Sequence, residues 1–291
     1  MNEFLEAVRG PGFMQHALLA GLLVSVACGV VGTYVVVRRI SYLAGGIAHC
    51  VLGGMGAAMY LNKVHGLNWL SPLHGAIVAA LAAAVIIALV SLRFKQREDT
   101  VISALWAVGM SAGVLFMAKT PGFQHDLVNY LFGDILMVAR EELWLIVGLD
   151  AVVVIISLLF YKQFQAVCFD QEFARTRGIR VQFYYVLLLC LTALTVVLLV
   201  SAVGIVMVIA LLTLPVAVVG QFAKRLWQMM VAAVLLSAVL TTAGLALSYA
   251  PELPTGAVTI LLAGALYLAV LAARKPLGWM RRAAQSRHET G

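Results

Sequence analysis

Charge is what this chain has least of. Only 11% of its 291 residues are Asp, Glu, Lys or Arg, and Asp and Glu together number 13. A soluble domain carries about 25% charged residues, so a water-soluble globule is excluded. Cysteine is scarce as well. Cys28, Cys50, Cys168 and Cys190 form no CxxC pair, which argues against a disulfide framework and against a zinc knuckle. No GxxxxGK[ST] loop occurs, so ATP is not bound by that route. Neither an HExxH helix nor a catalytic serine motif is present. The first residues, MNEFLEAVRGPG, hold two acids and no basic n-region. The apolar run after them is too long for an h-region, so no cleavable signal peptide is expected.

What the chain has in excess is hydrocarbon. Hydrophobic residues make up 63% of it and the mean hydropathy is +1.00. Nine apolar runs can be read, at about 13–37, 42–61, 73–92, 101–118, 143–160, 182–200, 203–219, 229–249 and 256–273. At 1.5 Å per residue, most can cross a hydrocarbon core of about 30 Å as helices. The expected fold is therefore all-α and integral to the membrane, a polytopic bundle of 8–9 transmembrane helices. The runs at 101–118, 143–160 and 203–219 are marginal in length, and one broken or re-entrant element among them would leave eight crossings.

Loop charge orients the bundle. Basic clusters stand at Arg38/Arg39, at Arg93/Lys95/Arg97, from Lys162 to Arg180, at Lys224/Arg225 and from Arg274 to Arg287. The alternate connections hold only isolated bases, Lys63, Lys119 and Arg140. If every run crosses, all five clusters share one side, and the positive-inside rule makes it the cytoplasm. The N-terminus is then outside and the C-terminus inside. The net charge of +7 thus reads as topology and not as a nucleic-acid surface. Three connections look structured. Thr120 to Glu142 is apolar enough to lie on the membrane surface. Phe169 to Gly178 (FDQEFARTRG) reads as a short helix, capped by Asp170, with Glu172 in its first turn, Arg175 and Arg177 near its end and Gly178 as its stop. Pro251 to Gly256 reads as a rigid turn.

Few polar groups lie inside the runs. His49 sits in the stretch SYLAGGIAHCVLGG (41–54), and Asp150 stands at a similar depth in its own run. Intramembrane ionisable groups tend to line pathways, and imidazole with carboxylate suits a transient divalent cation site. Each also has a plain alternative, a hydrogen bond to a neighbouring helix. Cys28, Cys50 and Cys190 read as small apolar fillers. His16, His65, His74, His125, Asp126, Asp134 and Glu252 fall on the outer side, either as an entry funnel for cations or as ordinary solvated groups. Gly45, Gly46, Gly53, Gly54 and Gly56 flank His49 and allow close helix approach. Pro215 sits within a run, where it frees a backbone carbonyl and bends a helix.

Six stretches together resemble the permease subunits of bacterial ABC importers for zinc, manganese or iron. They are the arginine pair with SYLAGGIAHCVLGG (38–54), REDTVISALWAVGMSAGVLF (97–116), LFGDIL (131–136), FDQEFARTRGI (169–179), VGIVMVIALLTLPVAVV (203–219) and SYAPELPTGAVTILL (248–262). The resemblance implies one permease domain over 1–291, with a coupling segment at about 169–178 and a basic cytoplasmic tail at about 274–291. It implies a bacterial cytoplasmic membrane location, a second copy of the chain, cytoplasmic ABC ATPase subunits that hold the ATP, and an extracytoplasmic metal-binding protein, with no nucleic acid. The divalent ion is substrate, and no cofactor is permanently bound. The resemblance places His49 on the translocation path, and gives Asp170, Glu172, Phe173, Ala174 and Gly178 the match to the coupling helix. One departure stands out: many members carry an aspartate where this chain has Gly45, one turn before the histidine. That leaves two expectations: either Asp150 supplies the missing carboxylate as a transient ligand with His49, or His49 acts alone on a hydrated ion. The competing readings are a permease for a metal chelate of siderophore or corrinoid type, a proton-driven transporter, which usually has more intramembrane acids, and an intramembrane enzyme, for which no second catalytic group lies near His49.

Overall fold

A computed structural model describes residues 12–67, 69–94, 98–121, 135, 138, 140–251 and 253–288. Eleven helices and no strands are found among these residues. They are α1 (Phe13–Val37), α2 (Ser41–His65), α3 (Pro72–Phe94), α4 (Glu98–Lys119), α5 (Arg140–Leu159), α6 (Tyr161–Phe169), α7 (Gln171–Thr176), α8 (Val181–Val203), α9 (Ile205–Val219), α10 (Leu226–Tyr249) and α11 (Thr255–His288). Helix is the element a lipid-facing backbone can adopt without unpaired polar groups. All nine apolar runs became helices.

By length and composition, seven helices are fit to cross a membrane. An eighth span results if α5 and α6, which meet at 74°, count as one bent pair. The remaining run, α9, has 15 residues and a length of about 22 Å, short of a full crossing. One residue, Gly204, separates it from α8. Its φ of 80° and ψ of 160° belong to a region that glycine alone adopts readily. Pro215 is buried inside α9, and the helix continues through it.

α1 is the axis of one half. It packs most extensively on α10 and then on α9 and α5. In the other half, α2 lies between α3 and α4, and α3 leans on α8. Without water to drive association, membrane helices rely on close packing, and glycine makes it possible here. A Cβ on Gly53 would come within 2.7 Å of the Gly109 carbonyl oxygen, and one on Gly54 would strike the Gly75 carbonyl. Buried hydroxyls bond mostly to their own helices, as Thr33 Oγ1 does in donating to the Gly29 carbonyl at 2.7 Å. Ser25 and Thr241 also meet across the α1–α10 seam at 3.3 Å. The α1–α2 turn is tight. Arg39 takes a φ of 63°, and the Ile40 amide closes the turn by donating to the Val35 carbonyl at 3.0 Å.

Beneath α5 the chain turns twice. α6 is held by edge-to-face rings, Tyr34 on Phe164 at 5.3 Å and Phe160 on Tyr184 at 5.5 Å. Such pairs add to simple area burial. α6 was not foreseen, because its basic neighbours mask an apolar stripe of Phe164, Val167 and Cys168, all buried.

Candidate functional site: a buried histidine on α2 and a capped helix at α7

His49 lies in the N-terminal half of α2 and is 7% exposed. Its imidazole stacks on the indole of Trp106 from α4, with centroids 4.6 Å apart and planes 15° from parallel. Its Nδ1 is buried without a hydrogen-bond partner. The structural alternative for His49, a hydrogen bond to a neighbouring helix, therefore has no support at that atom. The next residue, Cys50, directs its thiol to the Leu105 carbonyl at 3.3 Å. Tyr42 tilts against the same indole, with centroids 5.5 Å apart, and its hydroxyl meets Ser103 Oγ at 3.0 Å. Gly45 faces the same ring: a Cβ there would lie 3.5 Å from Trp106 Cζ3 and 3.7 Å from Ile209 Cδ1 of α9.

Asp150 lies in α5 and is 6% exposed, with both carboxylate oxygens buried and unpartnered. Its helix packs on α1, α8 and α6, whereas that of His49 packs chiefly on α4, α3, α8 and α9. The carboxyl is within electrostatic reach of Cys28 on α1. Two apolar clefts flank it along the α1–α5 seam. One, of about 280 Å³, is lined by His16, Leu23 and Val147, and the other, of about 430 Å³, by Val30, Val154, Ser157 and Trp227. Among the described residues no group of three or more His, Cys, Asp or Glu side chains is placed to hold a metal ion. All four cysteines are free thiols.

The short helix at 171–176 forms as its residues dictate. The Asp170 side chain accepts from the Glu172 and Phe173 amides at 2.9 and 3.0 Å, which satisfies two of the open donors at the N-terminus. Glu172 stands in the first turn and Arg175 in the last, both favourable to the helix dipole. Arg177 lies 5.2 Å over the Phe173 ring. Gly178 takes a φ of 75°, and the Ile179 amide donates back to the Ala174 carbonyl at 3.0 Å. Ala174 is fully buried, whereas Phe173 and Phe169 are exposed. The result is a fixed knob with two outward aromatic rings. On the other side, Ser71 Oγ and His74 Nδ1 meet at 2.6 Å, a local bond at the start of α3. His125, Asp126, Asp134 and Glu252 lie outside the described residues, as does most of the Thr120–Glu142 segment.

The described residues form a helical membrane bundle with polar side chains buried within it and a short capped helix between α6 and α8. The chain belongs to the ABC 3 transport family, whose model matches residues 11–274. It is 43% identical over 263 residues to an uncharacterised membrane protein of Synechocystis sp., covering 90% of this chain and 91% of the relative. A protein of Chlamydia pneumoniae named "Probable metal transport system membrane protein" is 37% identical over 257 residues, with 88% and 87% covered. The manganese transport system membrane protein MntC of Halalkalibacterium halodurans is 30% identical over 267 residues, with 92% and 89% covered. Among solved structures, PsaBC from Streptococcus pneumoniae in complex with a Fab matches with a TM-score of 0.81 at 28% identity, covering 92% of this chain and 94% of that one.

Proposed function

We propose that this chain is the permease subunit of an ATP-driven importer for a divalent metal ion, with manganese the first candidate and zinc and iron the others. The observation that carries the reading is the buried His49 Nδ1, a ligand atom without a partner in a membrane helix. The manganese and metal transport relatives support the substrate class. Two copies of the chain form the path, cytoplasmic ATPase subunits bind and hydrolyse ATP, and an extracytoplasmic binding protein delivers the ion. The chain has no nucleotide site of its own. It lies in the bacterial cytoplasmic membrane, and its C-terminus is in the cytoplasm when α9, short as it is, carries the chain across.

The mechanism is alternating access. His49 meets the ion as a transient ligand, and Asp150, unpaired on α5, is the second polar station. α7 is the coupling helix: Asp170 and Gly178 fix its ends, Ala174 roots it in the bundle, and Glu172 and Phe173 face the ATPase. Closure of the ATPases moves this knob and, through α6 and α5, the helices around the path.

Metal uptake into vesicles carrying the full complex tests this, with manganese, zinc and iron compared for wild type and His49→Ala. One metal should accumulate with ATP, and the variant should lose about tenfold or more of that uptake. Movement of a chelate but of no free ion would replace the substrate class, and normal uptake by the variant would remove His49 from the path.

A further inference from the structure

We propose that the cleft between α5 and α10 is the seat of one anionic phospholipid from the cytoplasmic leaflet. An acyl chain lies in the cleft, and Lys162, Lys224 and Arg225 hold the phosphate at its mouth. The inference uses the proposed function in one respect, that two copies of the chain meet around His49, and is otherwise independent of it.

The cleft has a floor and two walls. α5 and α10 each pack on α1 but not extensively on each other. The space between them, of about 430 Å³, is lined by Val30 of α1, Val154 and Leu158 of α5, and Met230 and Val234 of α10. Walls this apolar leave the polar groups of a peptide or an ion without partners, and they suit hydrocarbon. The stretch of α10 that lines the cleft, Trp227 to Val234, rises about 10 Å, two-thirds of the roughly 15 Å of one leaflet. The mouth is marked by two rings. α6 leaves α5 at 74°, so the α5 wall ends at Tyr161, and the α10 wall begins at Trp227; both residues line the cleft. Such rings concentrate at the membrane–water boundary. Lys162 directly follows Tyr161, Lys224 and Arg225 stand just before Trp227, and all of these bases are exposed. Neither 154–165 nor 220–234 holds an acid. Two stretches far apart in the chain thus bring bases and no acid to one mouth, the charge that a phosphate headgroup complements. The positive-inside rule makes this the cytoplasmic leaflet. Just above the mouth, the lining residue Ser157 has a buried hydroxyl without a partner. A buried hydroxyl ordinarily finds one, and the ester carbonyl of a lipid is an acceptor at about that depth.

The competing occupant is a second copy of the chain. None of α5, α6 and α10 packs extensively on α2, the helix that carries His49. A pair of copies meeting around His49 therefore leaves the cleft on the periphery of the assembly, toward lipid. A lipid chain seated there joins α5 to α10 across a gap the protein itself leaves unfilled, and its headgroup stands beside α6, the helix that leads into α7.

The test uses the full-length chain, purified in detergent and stripped of lipid, with bound lipid read by native mass spectrometry. Phosphatidylglycerol and phosphatidylcholine with the same acyl chains are the probes. Phosphatidylglycerol should bind the wild type about fivefold or more tightly than phosphatidylcholine. Arg225→Gln should lose about fivefold of that affinity. Arg93→Gln removes the same charge from α3, which packs extensively on none of the lining helices, and should lose nothing. Leu158 and Val231 are exposed lining residues. Leu158→Trp and Val231→Trp fill the cleft from its rim and should each abolish the tight site with every base still in place. Equal affinity for the two lipids overturns the proposal, as does a tight site that survives both tryptophan variants. A benzophenone attached at Leu158→Cys should capture lipid in native membranes. Capture of a second chain instead would put a copy over the cleft and overturn the proposal as well. These readouts need neither metal nor ATP, so a failure of the lipid seat is separable from a failure of the importer reading.

Discussion

At the scale of the residue, the chain spends its few polar groups unevenly. Its buried threonines and serines largely bond to their own helices, but His49 Nδ1 and both Asp150 oxygens stay unpaired. A buried carboxyl without a hydrogen-bond partner costs free energy whether charged or neutral, so Asp150 is held at some expense to the fold. Asp150→Asn is expected to be neutral or stabilising, by about 1–3 kcal/mol in thermal unfolding of the detergent-solubilised chain, while uptake by the complex falls. Unchanged uptake would leave Asp150 a packing residue. His49 and Asp150 were visible in the sequence because ionisable residues are rare in apolar runs. Their surroundings were not. Trp106 reads in the chain as one more large apolar side chain, and only the approach of α4 to α2 reveals the imidazole it stacks on. Matching depth likewise said nothing of direction around the helix, and the two residues stand on helices that pack chiefly on different partners.

At the scale of the element, small residues decide the geometry. Gly53→Val would drive branched carbons into the Gly109 carbonyl and should destabilise the α2–α4 pair by about 1–3 kcal/mol, seen as a lower melting temperature of the solubilised protein. Asp170→Ala removes both amide bonds at the start of α7. It should cost that helix about 1 kcal/mol, which faster hydrogen exchange at the Glu172 and Phe173 amides would report. Glu172→Arg leaves the cap intact and reverses an exposed charge. It should preserve the membrane level of the protein and reduce substrate-stimulated ATPase activity of the complex; unchanged stimulation would detach α7 from coupling. α7 was legible because capping is local: Asp170, Glu172 and Gly178 specify it within nine residues. The corner between α5 and α6 was not, since its 74° arises from aromatic packing against α1 and α8, contacts distant in sequence.

At the scale of the whole molecule, hydropathy foretold nine helices and marked 143–160 and 203–219 as marginal crossings, which are the bent span and the short α9, but it did not place the breaks. α9 is apolar but for Thr213 yet short, and its start is set by Gly204, whose backbone conformation no count of apolar residues reveals. The glycine contacts described above have a consequence for biogenesis. α2, α3 and α4 are consecutive, and their tightest contacts are with one another, so this trio can pack as soon as α4 has entered the bilayer. α1 has its most extensive partners in α10 and α9, which are synthesised near the end of the chain. Among the described helices, α1 is thus made before the others although its most extensive partners arrive late. Until α10 is inserted, the serine, threonine and glycine stripe of α1 faces lipid, and a chain truncated before that point should be cleared by membrane proteases although its α2–α4 half is already built.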